Sequence, residues 1–268
     1  MLRDITLGQY FPGDSVIHNL DPRVKILSVI AFMAAVFIAD SFISFGIVLT
    51  FTLYIIFLSK IKIIYIIKAL KPVLFLVVFT ALINLFLTGG DNIIFQWRFL
   101  KITENGLYSA CIMAIRIILL VSATSLLTFT TSPIVLTDGI EKLLSLFSKI
   151  GLPAHELAMM MTIALRFIPT LLEETDKIIM AQKARGADFE SGNLIKRSKA
   201  LVPILVPLFI SSFRRADELA TAMECRCYRG GENRTRLKEL KISGRDIAAS
   251  IQMLIFVIII IIFGVCGI

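Results

Sequence analysis

Two histidines, one tryptophan and four cysteines among 268 residues leave little material for metal or disulfide chemistry. Cys111, Cys225, Cys227 and Cys266 are too scattered for a disulfide framework. Cys225 and Cys227 with His18 and His155 lack the second Cys or His cluster that a structural zinc site uses, so no metal is expected. Motifs are equally sparse. There is no Gly-x-x-x-x-Gly-Lys-Ser/Thr loop, no Gly-x-Gly-x-x-Gly opening a helix and no His-Glu-x-x-His. Nor is there a nucleophile elbow, so the chain carries no recognisable engine or catalytic centre. Met1-Leu2-Arg3-Asp4-Ile5 lacks a basic stretch followed by an apolar one, so no cleavable leader is expected. Basic runs interleaved with aromatics are missing too. The net charge of +8 therefore suits anionic headgroups and orientation in a lipid bilayer better than nucleic acid.

What the chain does have is apolar residue in blocks. A hydrophobic content of 57% and a mean hydropathy of +0.84 exceed those of an ordinary soluble domain. The blocks are long enough to cross a bilayer and lack period-2 alternation, which predicts an all-α integral membrane protein. Residues 1–23 form a polar leader with a turn at Phe11-Pro12-Gly13-Asp14 and a break at Asp21-Pro22, where Asp21 can cap a helix that starts on Pro22. Four spans are expected within 24–131: Ile26 to Ala39, lengthened by a snorkelling Lys25; Ser41 to Ser59; Pro72 to Gly90; and a tilted helix from Glu104 to Thr131. A fifth occupies 246–268, from Ile247. Lys60, Lys62, Lys68 and Lys71 mark one connection, whereas the turn at Asp40 has no Lys or Arg. The lysine side, the N-terminus and the charged segment 132–245 are thus expected in the cytoplasm, and the loop up to Thr103, with Trp97 at headgroup level, outside.

Arg116 lies within the fourth expected span, where a guanidinium costs a few kcal/mol on the gentler insertion scales and must face protein or water. Two readings are open for it: a contact to a partner subunit or substrate path, or an arginine that pairs with backbone carbonyls or snorkels outward. No acid adjoins it in sequence.

Segment 132–245 reads as long amphipathic helices inserted before the last span. A short one at the membrane surface presents Leu136, Ile140, Leu143, Leu144 and Phe147 on one face and ends at Gly151-Leu152-Pro153. The next has Leu157, Met161, Leu165, Ile168 and Leu172 at helical spacing and is expected to bend at Pro169. Met159-Met160-Met161 within it suits either an adaptable interface or core and lipid-facing filler. It closes at Ala184-Arg185-Gly186, where glycine suits a left-handed cap and arginine the helix dipole. A second long helix from about Pro203 closes at Cys225-Arg226-Cys227. Two helices thus end in matched arginines, whose planar forks suit carboxylate partners.

Several stretches, in order, resemble the transmembrane T component of energy-coupling factor (ECF) transporters. They are His18 to Lys25, Leu127 to Pro133, Gly151 to Leu157, Leu165 to Pro169, Glu173-Glu174 and Ala181 to Ala187. The resemblance implies a scaffold that docks two ABC-type ATPase subunits through two Ala-Arg-Gly tips and passes their motion to a membrane-embedded substrate-binding S component, for vitamin or metal-ion uptake. By that resemblance Arg185 with Ala184 and Gly186 forms the first tip, and Arg226 the second. Cys225 and Cys227 depart from the motif there, so Tyr228-Arg229-Gly230-Gly231 is an alternative source of the turn. ATP and Mg would bind the partner ATPases, with no cofactor on this chain and the enzymatic step elsewhere. The competing class is a self-sufficient secondary transporter or membrane-embedded enzyme. The absence of Asp or Glu in the middle of the expected spans argues against ion coupling.

Overall fold

In the computed structural model, residues 10–88, 93–97, 100–146, 153–187, 189, 194–230 and 240–266 are described. At residues 87, 93–97, 100–102, 194, 196–198, 265 and 266 only the backbone is. The order is α1 (Pro22–Ile38), α2 (Phe42–Ser59), α3 (Ile63–Leu87), β1 (Ile93–Trp97), β2 (Leu100–Thr103), α4 (Glu104–Thr130), α5 (Pro133–Leu144), α6 (Ala154–Ala184), α7 (Leu194–Cys225) and α8 (Gly244–Cys266). The chain divides into two compact units, one from Gly8–Gly139 with Glu239–Ile268 and the other containing Ile140–Lys238.

An all-helical membrane architecture is what the apolar blocks predicted, and five helices are long and apolar enough to cross a membrane. Their identity differs from expectation at one point. Helix α1 has 17 residues, about 25 Å of rise against the roughly 30 Å of a hydrocarbon core, and the five are α2, α3, α4, α6 and α8. Helix α6 qualifies through its first half. Its second half carries Glu173, Glu174, Asp176, Lys177 and Lys183.

Two helix starts also move. Helix α3 starts at Ile63, so Lys68, Lys71 and Pro72 lie inside it, and only Lys60, Ile61 and Lys62 remain between α2 and α3. Helix α7 starts at Leu194 and contains both Pro203 and Pro207. Likewise α6 runs through Pro169. A proline deletes one N–H, yet the flanking turns keep their own ladder bonds, so a long helix carries through it. The region before Thr103, expected as a loop, holds an antiparallel hairpin with Phe95 opposite Ile102 and Trp97 opposite Leu100. Its β-branched and aromatic composition favours strands. The headgroup placement of Trp97 falls on a side chain outside the described residues, as do Phe147, the Gly151-Leu152 break and Gly231.

Packing in the first unit centres on α1, α2, α4 and α8. Phe51 stacks on Phe256 at 4.0 Å between ring centroids, and Phe32 on Phe256 at 5.9 Å. Ala35, Val36, Val48 and Ile260 are fully buried around them. Small side chains let the backbones approach, which replaces the hydrophobic drive that helices lose in lipid. Phe42, Phe57, Phe75 and Leu254 stay exposed, as lipid-facing positions do.

Polar groups close one end of this unit. Asp21 caps α1 by accepting from Arg23 N at 2.9 Å, and the Arg23 guanidinium returns two bonds to the carboxylate, from Nε at 3.0 Å and Nη2 at 2.7 Å. These bonds hold the Asp21 carboxyl below the usual carboxylate range. Asp246 at the start of α8 accepts from Asp21 N at 2.7 Å and from Ser243 N and Oγ at 2.7 and 2.8 Å. Lys25 does not snorkel to water. It is 6% exposed and donates to His18 O, Thr130 O and Thr131 Oγ1 at 3.0, 3.1 and 3.1 Å. His18 joins the same knot: Nε2 donates to the carbonyl of Phe11, which can only accept, at 3.0 Å, and Nδ1 shares a 2.6 Å hydrogen bond with the Ser15 hydroxyl. The leader is thereby tied to the ends of α4 and α8.

Candidate functional site: two matched helix ends

Within the unit Ile140–Lys238, α6 and α7 are the long elements, and their C-termini were singled out from sequence. Both ends prove to be the same structure. At α6, Gly186 has φ 86°, its N–H donates to Lys183 O at 3.0 Å, and Ala187 N donates to Gln182 O at 3.0 Å. At α7, Cys227 has φ 55°, its N–H donates to Glu224 O at 2.8 Å, and Tyr228 N donates to Met223 O at 3.1 Å. Each is a Schellman cap, with one left-handed residue reversing the chain and two bonds satisfying the last carbonyls. Arg185 and Arg226 occupy the same place, one residue beyond the last helical residues Ala184 and Cys225 and directly before the left-handed one.

Cys227 itself therefore makes the turn. Gly230, at φ 88°, adds a second left-handed residue downstream and does not replace the first. A side chain in that conformation costs roughly 1–2 kcal/mol, because Cβ crowds the following carbonyl. Cys225 and Cys227 are free thiols and exposed, as is Cys111. Arg185 and Arg226 are exposed as well. The caps fix the backbone of both arginines and leave their guanidinium groups exposed, each able to make paired hydrogen bonds.

The two helices run past one another in opposite senses. Arg215 Nη2 donates to Glu174 Oε2 at 2.6 Å, and Gln182 Nε2 reaches Pro203 O at 3.5 Å. The second contact has a covalent origin: Pro207 has no N–H for the carbonyl four residues before it, which leaves Pro203 O without a helical donor. Neither cross-contact was legible in the sequence. At the other end of α6, His155 Nδ1 meets Glu141 Oε1 of α5 at 3.0 Å. Met160 and Met161 are 56% and 43% exposed, so neither fills the core.

Arg116 belongs to the other unit. Its Nη2 donates to Ala39 O at 2.9 Å and to Asp40 Oδ1 at 3.2 Å, and the guanidinium sits 5.6 Å from the Phe45 ring centroid. The acid missing from its sequence neighbourhood is Asp40, 76 residues away at the α1–α2 turn. A cavity of about 360 Å³ beside the polar knot is walled mainly by apolar groups including Phe32, Phe51, Leu126 and Met253. Lys25 borders it with its three donors already engaged.

Apolar helices of spanning length, together with a pair of long helices that end in matched arginines, define a multi-span membrane protein. A family model described as CbiQ, cobalt transport protein, matches residues 13–237. The energy-coupling factor transporter transmembrane protein EcfT of Clostridium kluyveri is 62% identical over 260 residues, covering 97% of this chain and 96% of its own length. That of Thermosediminibacter oceani is 57% identical, covering 93% and 94%, and that of Bacillus subtilis 45%, covering 95% and 96%. The chain belongs to this family of energy-coupling factor transporter transmembrane proteins.

Proposed function

We propose that the chain is the scaffold and coupling subunit of an ECF-type ABC importer. Two ATPase subunits bind ATP and Mg and supply the motion; this chain carries no catalytic step and passes the motion to a membrane-embedded S component that binds a vitamin or metal ion. The observation that carries the proposal is the pair of identical caps, which presents Arg185 and Arg226 in the same local frame on two helices. Two equivalent contacts suit two copies of one groove, or two related grooves. Coupling by such contacts needs two states of the scaffold in which they differ, since a ligand shifts an equilibrium only by its differential affinity. The two tips lie on the cytoplasmic side in this scheme, as the lysine distribution favours.

The test is co-purification. Arg185→Glu with Arg226→Glu, expressed with the ATPases, leaves the protein in the membrane and releases the ATPases, because two favourable charge contacts become repulsive. Undiminished ATPase binding in that double variant overturns the proposal.

A further inference from the structure

The ion pair that joins α6 to α7 has a particular place. Glu174 precedes Arg185 by eleven residues, and Arg215 precedes Arg226 by eleven. Each is therefore about 16 Å of helix from its capping arginine. Because the helices run in opposite senses past Glu174–Arg215 and Gln182–Pro203, the two arms extend to opposite sides of the ion pair. We propose that Arg215–Glu174 is a positioning pin that fixes the crossing of the two coupling helices midway between their tips, so that displacement of one tip moves the other. The proposal rests on the coupling role given above.

Geometry, more than stability, is what such a pair supplies. The side chains are 32% and 23% exposed, and a half-exposed pair adds little to folding. It is nonetheless the tighter of the two hydrogen-bonded crossings among the described residues, a charge-assisted bond of 2.6 Å beside a neutral one of 3.5 Å. Sliding α6 along α7 by one turn, about 5.4 Å, breaks it outright. Without it, ridges of apolar side chains allow neighbouring registers, and the tips lose their common reference.

The experiment places spin labels at positions 187 and 229, just beyond the tips, in a background without native cysteines. Inter-label distances are measured in nanodiscs for the chain alone and for the complex with its ATPases, before and after trapping with ATP and vanadate. The intact pair is expected to give one narrow distribution that shifts as a whole on trapping. Arg215→Gln and Glu174→Gln broaden it and lose the shift while the ATPases stay bound, since Arg185 and Arg226 are untouched. Arg215→Lys restores both features, because a single nitrogen makes the contact and an ammonium can replace it. An Arg215→Gln distribution and shift equal to those of the intact pair, or an Arg215→Lys variant no better than Arg215→Gln, overturns the pin. Failure of the coupling role is distinguishable: the unaltered chain then retains no ATPase, and the widths measured on the chain alone still decide whether the pair holds the crossing.

Discussion

Cys227 holds a backbone conformation that side chains ordinarily avoid, in a position where the matching cap has Gly186. Exchanging Cys227→Gly removes the Cβ crowding but adds the unfolded-state freedom of glycine. The two terms leave a net gain of about 0.5–1 kcal/mol. The expected result is slower amide hydrogen exchange at Tyr228, whose N–H closes the cap on Met223 O. Gly186→Ala should do the reverse at Ala187, where the bond to Gln182 O lies; unchanged exchange in both variants would remove the Schellman assignment. The arginines between these residues and their helices were legible from sequence, because helix length and capping residues are local. What local sequence could not show was that cysteine takes glycine's conformation; only the bonds of positions 227 and 228 decide that.

Among the elements, α5 illustrates how far periodicity carries. Its row of Leu136, Ile140, Leu143 and Leu144 is half-buried, while the residues of the helix that are fully covered are Thr137 and Gly139. A Cβ on Gly139 would lie 2.9 Å from Pro22 Cβ and 3.2 Å from Ile26 Cδ1, so the start of α1 sits directly against this glycine. Gly139→Ala is therefore expected to force α5 and α1 apart at a cost of about 1–3 kcal/mol. The check is thermal or denaturant unfolding of the detergent-solubilised variant. A loss below the resolution of that measurement means the neighbours yield and the contact is not tight. Hydropathy marks a greasy face but cannot register a glycine contact, since the missing side chain carries no signal until its neighbour is known. The same limit explains why α3 was expected to begin at Pro72 and α7 at Pro203. Proline reads as a boundary, and only the surrounding turns show whether the helix continues through it.

For the whole molecule, membership in the transporter family and the presence of five spanning-length helices are established, and orientation is the natural next measurement. Cys225 and Cys227 are exposed at the second tip. In a variant lacking Cys111 and Cys266, expressed without ATPases, a membrane-impermeant maleimide is expected to label inside-out vesicles and spare right-side-out ones. The opposite pattern places the tips outside and removes them from any cytoplasmic ATPase.

The sequence by itself determined the membrane class, the long helices of the charged segment and the two arginine ends, because bilayer-length apolar blocks, 3.6-residue periods and capping residues are all properties of neighbours along the chain. The tertiary structure alone decided the partners of the charges. Asp21 meets Asp246 across 225 positions, Lys25 meets Thr130 across 105, Arg116 meets Asp40 across 76 and Arg215 meets Glu174 across 41. A buried or half-buried charge must find an opposite dipole wherever the fold brings one, and that requirement leaves no trace of periodicity or spacing in the chain.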